Sequence, residues 1–317
     1  MANWRAIERV PAVLGMTPGG SAAGGGLAAV VVNPTRMRGV DRLRYRFAQA
    51  AAAHGWQPPR VLLTSAADPG DGLTRGALEA GVELIVCVGG DGTVAACAQA
   101  LAGTSVPLAI VPAGSANLTA RALGIPVGLD AALRTAFGGR NRRVDLATAD
   151  GTVFVAMAGI GLDAAVVGAT PDAAKRLAGW PAYAGAAAVQ VLRRGATFTV
   201  RLDGDVTLNR RARSVTVGNS GALPGGFSIM PDARLDDGLL DVVILAPTGP
   251  LGWAQVGMRV IAGSRHDDSR MQRYRARQVE IHADAELPRQ VDGEIIAPSR
   301  SLTVAVRPGA LLVRVPA

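Results

Sequence analysis

Residues 83–93 read ELIVCVGGDGT, and this stretch decides the fold. Leu84 to Val88 is a short apolar run closed by glycine, the pattern of a buried strand. Gly89, Gly90 and Gly92 let the backbone turn tightly and bring N–H groups against an anion. Thr93 to Leu101 then reads as a helix, and a helix N-terminus adds a favourable field for negative charge. Asp91 can orient a donor or approach a magnesium ion, and the Thr93 hydroxyl can bind a phosphate oxygen. A plain strand–turn–helix link capped by Asp or Thr has the same outline. Five consecutive residues of this type favour the phosphate reading.

The same alternation extends outward. LAAVVVNP (27–34) is a strand ended by Pro34, and RVLLTS (60–65) and VPLAIVPAG (106–114) are two more. Helices are predicted over 42–55, 73–80, 117–123 and 130–137. Strands alternating with helices predict a parallel, doubly wound sheet, with ligands at the carboxyl ends of its strands. The turns at those ends are Asn33-Pro34, Thr64, Gly89–Thr93 and Gly114–Asn117. After about Arg143 the pattern changes. TVFVAMAGIG, TFTVRLDG, RSVTVGNS, LLDVVILAP, RQVEIHAD, RQVDGEII and SLTVAVRP all read as strands, with helices only at 172–192 and 250–263. The expected architecture is therefore α/β. A flexible leader (1–26) precedes an N-terminal doubly wound parallel-sheet nucleotide domain (27–143). A mainly antiparallel β domain (144–317) follows, with the active-site cleft between the two and the last strand free to pack back on the first domain.

Composition removes several classes. Two cysteines among 317 residues exclude a disulfide scaffold or a multi-cysteine zinc site, and three scattered histidines have no metal-ligand spacing. Aromatic residues at 4% argue against base stacking, so no nucleic-acid partner is expected. No transmembrane helix or signal peptide is read; the most apolar stretch, 151–170, carries Asp163 and several glycines. There is no P-loop and no nucleophile elbow. The net charge of +8 comes almost wholly from arginine, with Lys175 the one lysine. Coding bias and attraction to anionic membranes or phosphates both explain it.

Six ordered segments carry a family resemblance: VVVNP (30–34), VGGDGT (88–93), VPAGSANLTARALGIP (111–126), GIGLDA (159–164), GGFSIMPDARLDDGLLDVVIL (225–245) and VDGE (291–294). Together they resemble the diacylglycerol kinase family of lipid kinases, which includes bacterial lipid kinases and sphingosine and ceramide kinases. The resemblance implies ATP and Mg²⁺ as cofactors and a lipid hydroxyl as acceptor. By it, Asn33, Pro34, Thr35, Thr64, Gly89, Gly90, Asp91, Gly92, Thr93, Gly114, Ser115 and Asn117 line the nucleotide site. Glu294 matches the family's catalytic base, with Asp91 as a second catalytic residue. Asp237 and the carbonyls of Arg234 and Leu239 match a magnesium site. Asp163 and Lys175 match substrate-side positions. On residues alone, D-D-G and V-D-G-E also read as ordinary turns.

The chain departs from the family where Met37 stands in place of a glycine. Ala95 and Ala96 replace a polar pair, and Leu118 replaces an aspartate. The last change leaves the acceptor open: diacylglycerol-like first, then a sphingoid, ceramide or phosphatidylglycerol. An NAD kinase shares G-G-D-G-T but usually has an N-E motif that is absent here. A non-catalytic nucleotide- or lipid-binding module is the remaining alternative. The expected location is cytoplasmic, peripheral to the inner membrane leaflet, and a homodimer is left open.

Overall fold

The computed structural model describes residues 25–37, 40–161, 195–221 and 228–317. Most of the leader, the helix expected at 172–192, Asp163 and Lys175 lie outside the described residues.

The first half alternates as expected. Its order is β1 (Ala28–Val32), α1 (Val40–Ala52), β2 (Arg60–Leu63), α2 (Asp71–Glu79), β3 (Leu84–Gly89), α3 (Asp91–Leu101), β4 (Leu108–Pro112), α4 (Leu118–Ala122) and α5 (Leu129–Gly138). The four strands are parallel in the order β2-β1-β3-β4. Every residue of β1, β3 and β4 is buried, which is why these strands read as unbroken apolar runs. Successive side chains face opposite layers. Val31, Ile85, Cys87 and Ile110 pack with Val94, Cys97 and Leu101 of α3. Val30, Val32, Val86 and Val111 pack with Leu43 and Phe47 of α1 and Leu133 and Phe137 of α5. Each fully buried Val, Leu, Ile or Phe is worth roughly 1.5–3 kcal/mol, so two covered faces hold the sheet in register. Both cysteines are buried free thiols on the α3 face. The Cys87 thiol is pushed well up by its hydrogen bond with Cys97 and by burial.

The second half comprises β5 (Arg140–Ala149), β6 (Thr152–Phe154), β7 (Met157–Gly161), β8 (Ala196–Leu202), β9 (Val206–Ala212), β10 (Ser214–Gly218) and β11 (Leu240–Leu245). Helix α6 (Gly249–Ile261), β12 (Met271–Ala276), β13 (Gln278–Val291) and β14 (Glu294–Val315) complete it. Among the described residues its pairings are antiparallel, apart from one parallel contact between the halves, Val313 of β14 beside Leu108 of β4. Thus β14 joins the parallel sheet at one end and pairs with β13 and β5 along its length.

Several boundaries differ from the sequence reading, for local reasons. TVFVAMAGIG is two strands, because the N–H groups of Val155, Ala156 and Met157 all point at the Asp292 carboxylate instead of a neighbouring strand. RQVEIHAD and the start of RQVDGEII are one strand, β13, whose register shifts on either side of Leu287, next to Pro288. Strands β5, β9 and β12 were not anticipated. β9 is largely exposed and carries Asn209, Arg210 and Arg211, so it lacks an apolar signature.

A buried carboxylate ties three segments of the second half together. Asp145 on β5 accepts the N–H of Gly238 at 2.7 Å and that of Gly309 at 2.7 Å. Gly309, in the left-handed region, lies in the register break of β14 between Arg307 and Leu311. We expect Asp145→Ala to destabilise the protein by about 3 kcal/mol, since each lost charged hydrogen bond is worth roughly 1.5–3 kcal/mol. A urea titration reads this as a lowered midpoint at unchanged slope, and an unchanged midpoint would refute it.

Candidate active site

β1 leads through α1 to β2 on one side, and β2 returns through α2 to β3 on the other side of β1. The strand order therefore reverses between β1 and β3, and a ligand crevice opens there at the carboxyl ends of the strands. Asn33 follows β1 and Gly89–Gly90 closes β3, so the two turns are neighbours by topology. The Asn33 N–H donates to the Val88 carbonyl at 2.9 Å. Its Nδ2 reaches the Thr93 hydroxyl at 3.4 Å, and its Oδ1 accepts the Thr35 hydroxyl at 2.7 Å and N–H at 3.1 Å. Thr35 itself is exposed after Pro34. Thr64, buried at the end of β2, donates its N–H to Val32.

The glycines of the central turn are required by contact. A Cβ on Gly114 would lie 2.6 Å from the Gly90 Cα, so the two loops approach backbone to backbone. A Cβ on Gly89 would lie 2.8 Å from the Thr93 hydroxyl oxygen. The first turn of α3 has no side-chain cap among the described residues, which leaves its N–H groups to an anion. Asp91 turns instead to the next helix and accepts the Thr119 N–H at 3.1 Å. Asn117 stands in the left-handed conformation and closes its loop on Gly114 twice, at 2.8 and 2.9 Å. Its amide is thereby spent on loop shape, and Ser115 is left exposed at the tip.

The β13–β14 hairpin brings the second half to this point. Asp292 and Gly293 both have positive φ, as a two-residue turn of the D-G type requires. Val291 pairs with Glu294 across it. A Cβ on Gly92 would lie 3.0 Å from Oε1 of Glu294, so the exposed Glu294 carboxylate borders the N-terminal turn of α3. Asp292 points the other way. Its carboxylate accepts three backbone N–H groups, from Val155, Ala156 and Met157, at 2.9, 2.8 and 3.0 Å. Burial pushes its pKa up to about 6 against those three donors, and the charge of Asp91 adds to the rise. Asp292 was missed as a separate residue because V-D-G-E reads as a hairpin tip. The only signal was a carboxylate at a turn position that asparagine or glycine fills equally well.

The loop before β11 holds the expected metal ligands. Asp236 is tied to Arg142 at 2.7 Å, whose hydrogen bond holds its carboxyl below the usual range. Asp241 is pushed up by burial, opposed by Arg275 at 3.2 Å. Asp237 accepts the Leu239 N–H at 3.1 Å and is only 3.7 Å from Arg275, so it is the least firmly paired carboxylate of the three. One carboxylate flanked by the carbonyls of Arg234 and Leu239 is a hard-oxygen set that suits a hydrated magnesium ion. No cluster of three or more His, Cys, Asp or Glu side chains forms a ready-made metal site among the described residues. The nearby arginine run is neutralised: Arg265 by Asp232, Arg270 by Asp268, Arg273 by Asp267 and Arg275 by Asp241.

Residues 28–149 match the family model of the diacylglycerol kinase catalytic domain, and residues 156–315 match that of the YegS C-terminal NAD kinase beta sandwich-like domain. A "probable lipid kinase YegS-like" of Pseudomonas fluorescens is 33% identical over 271 residues, 84% of this chain and 89% of that protein. Its counterpart in Chromohalobacter salexigens is 31% identical, over 78% of this chain and 81% of that protein. Among solved structures, a Bacillus anthracis protein assigned as a diacylglycerol kinase superposes with a TM-score of 0.75 at 24% identity, covering 95% of this chain and 98% of that one.

The raised pKa of Asp292 has a definite sign in stability. The folded value, about 6, lies above the ordinary 3.8, so the folded state holds the proton more tightly. The cost of ionised Asp292 is absent below about pH 4, grows through the window and is fully present above about pH 6. The stability of the wild type relative to Asp292→Asn therefore falls as pH rises from 4 to 6. Urea melts of both proteins across that window measure it, and a flat difference would count against the buried carboxylate.

Proposed function

This chain belongs to the diacylglycerol kinase family, in its YegS-like branch, and from that premise we propose that it is an ATP- and Mg²⁺-dependent lipid kinase. It transfers the γ-phosphate of ATP to a hydroxyl of a membrane lipid, a diacylglycerol-like lipid before a sphingoid, ceramide or phosphatidylglycerol. The observation that carries this reading is a convergence. The Gly89–Thr93 turn, the Gly114–Asn117 loop and Glu294, encoded about two hundred residues downstream, meet at the N-terminus of α3.

The residues divide the work as follows. The uncapped N–H groups of α3 and the glycine backbone receive the phosphates, with the Thr93 hydroxyl beside them. Asn33, Thr35 and Thr64 shape the nucleotide side, and Ser115 offers an exposed hydroxyl. Asp91 locks α4 against the turn. Glu294 accepts the proton of the attacking lipid hydroxyl. Asp237 with the carbonyls of Arg234 and Leu239 would hold a magnesium ion, which when bound supplies positive charge near an otherwise acidic loop. Phosphoryl transfer depends chiefly on position and charge neutralisation, so the base contributes only part of the rate. No helix among the described residues is long and apolar enough to cross a membrane, which supports reaching the lipid from the bilayer surface.

Labelled phosphate transfer from ATP with magnesium tests the reading. The acceptors are diacylglycerol, monoacylglycerol, phosphatidylglycerol, sphingosine and ceramide in mixed micelles, with NAD alongside. We expect label in a glycerolipid, and a loss of about 100-fold in kcat for Glu294→Gln with little change in the KM for ATP. Label in NAD alone, or an unchanged kcat in Glu294→Gln, would overturn the assignment or the role of Glu294 respectively.

A further inference from the structure

Three of the large exposed hydrophobic side chains lie on one helix. Leu251, Met258 and Ile261 of α6 are 72%, 65% and 52% exposed. With exposed Ala254 between them they follow at steps of three, four and three residues, which is one face of a helix. The opposite face, through Gly252, Val256 and Val260, already packs on Met230, Val243, Leu245 and Met271. The outward stripe is therefore surplus to the core, and a soluble surface rarely keeps such a row without an occupant.

We propose that this face of α6 is the membrane-docking surface of the enzyme, laid into the headgroup boundary of an anionic bilayer. The inference rests on the lipid-kinase reading, because an acceptor held in a bilayer demands a surface that meets one. Two further observations choose a bilayer over another protein. From Val242 to His266 there is no Asp or Glu, so the outward stripe itself carries no carboxylate, and Asp232, Asp267 and Asp268 at its C-terminal flank are each paired with an arginine. The helix is also tied to the catalytic side. It stands on Ile229, Met230 and Ala233, and Arg265, just beyond its end, pairs with Asp232 at 2.6 Å. Four residues separate Asp232 from Asp237, so a docked α6 sets the candidate magnesium loop close to the lipid surface. The stripe inserts by burying apolar area, while the ion pairs of Arg259 with Asp268 and Arg265 with Asp232 hold the C-terminal end of the helix to the protein.

The test is flotation of the full chain with vesicles of equal parts phosphatidylcholine and phosphatidylglycerol. We expect Leu251→Asp/Met258→Asp to lower vesicle affinity by about tenfold or more, from the lost burial of two large apolar side chains. Val206→Asp, at an exposed apolar position on β9, should bind as the wild type does. Leu251→Ser/Met258→Ser repeats the test without new charge should the aspartate variant fail to fold. Transfer to vesicle-embedded diacylglycerol should fall with binding, while transfer to a short-chain, monomeric diacylglycerol should not. Unchanged vesicle binding in both double variants overturns the proposal, as does a wild type that does not bind. Sedimentation velocity on the same proteins identifies the other occupant: loss of self-association with vesicle binding intact assigns the face to a second copy. Vesicle binding that needs the stripe, in a protein that labels no lipid, would leave the docking surface standing and remove the kinase reading.

Discussion

One strand holds the two halves of the molecule in register. β14 begins at Glu294, beside the N-terminal turn of α3, and ends at Val315, having touched β4 of the parallel sheet at Val313. Between those ends it pairs with β13 and β5. The position of the candidate base is thus set by the ladder of the strand that carries it, not by a loop. Ladder hydrogen bonds tolerate no one-residue slip, because a slip would turn every buried side chain outward. The single break in the ladder with β5, near Gly309, is held by Asp145. The same carboxylate accepts the Gly238 N–H of the candidate metal loop, so it ties that loop to the strand.

The parts of this arrangement that could be read from sequence are those that repeat. Buried parallel strands announce themselves as apolar runs, and glycine-rich turns at their ends announce close backbone approach. Those signals predict the parallel sheet and the turn at Gly89–Thr93, while the strand order, and with it the switch point, is a finding of the structure. The strands of the second half were legible only where one face is buried. β9, with Arg210 and Arg211 outward, carries no such alternation, and β5 begins with Arg140, Asn141, Arg142 and Arg143 before it enters the core. The carboxylates that tie segments of the second half together were not legible. Asp145 and Asp292 are bound by backbone N–H groups, which every residue possesses, so the sequence carries no complementary partner to find. The arginines at 265–277 show the converse. Their charge is visible, whereas the aspartates that neutralise it are spread from Asp232 to Asp268.

A candidate phosphate site bordered by carboxylates poses an electrostatic problem, and the structure gives those groups different partners. Asp91 directs an oxygen at the Thr119 N–H, away from the uncapped turn of its own helix. The Asp292 carboxylate is held by three backbone N–H groups, while burial and then the charge of Asp91 push its pKa up to about 6. Glu294 alone of the three is exposed and borders the anion-binding turn. A group proposed to take a proton from an incoming hydroxyl must be reachable, and of the three Glu294 is the exposed one. The other two carboxylates build the geometry around it. In the candidate anion site the donors are backbone N–H groups in a fixed helix field, and two of the three carboxylates around it, Asp91 and Asp292, already accept backbone N–H groups of their own.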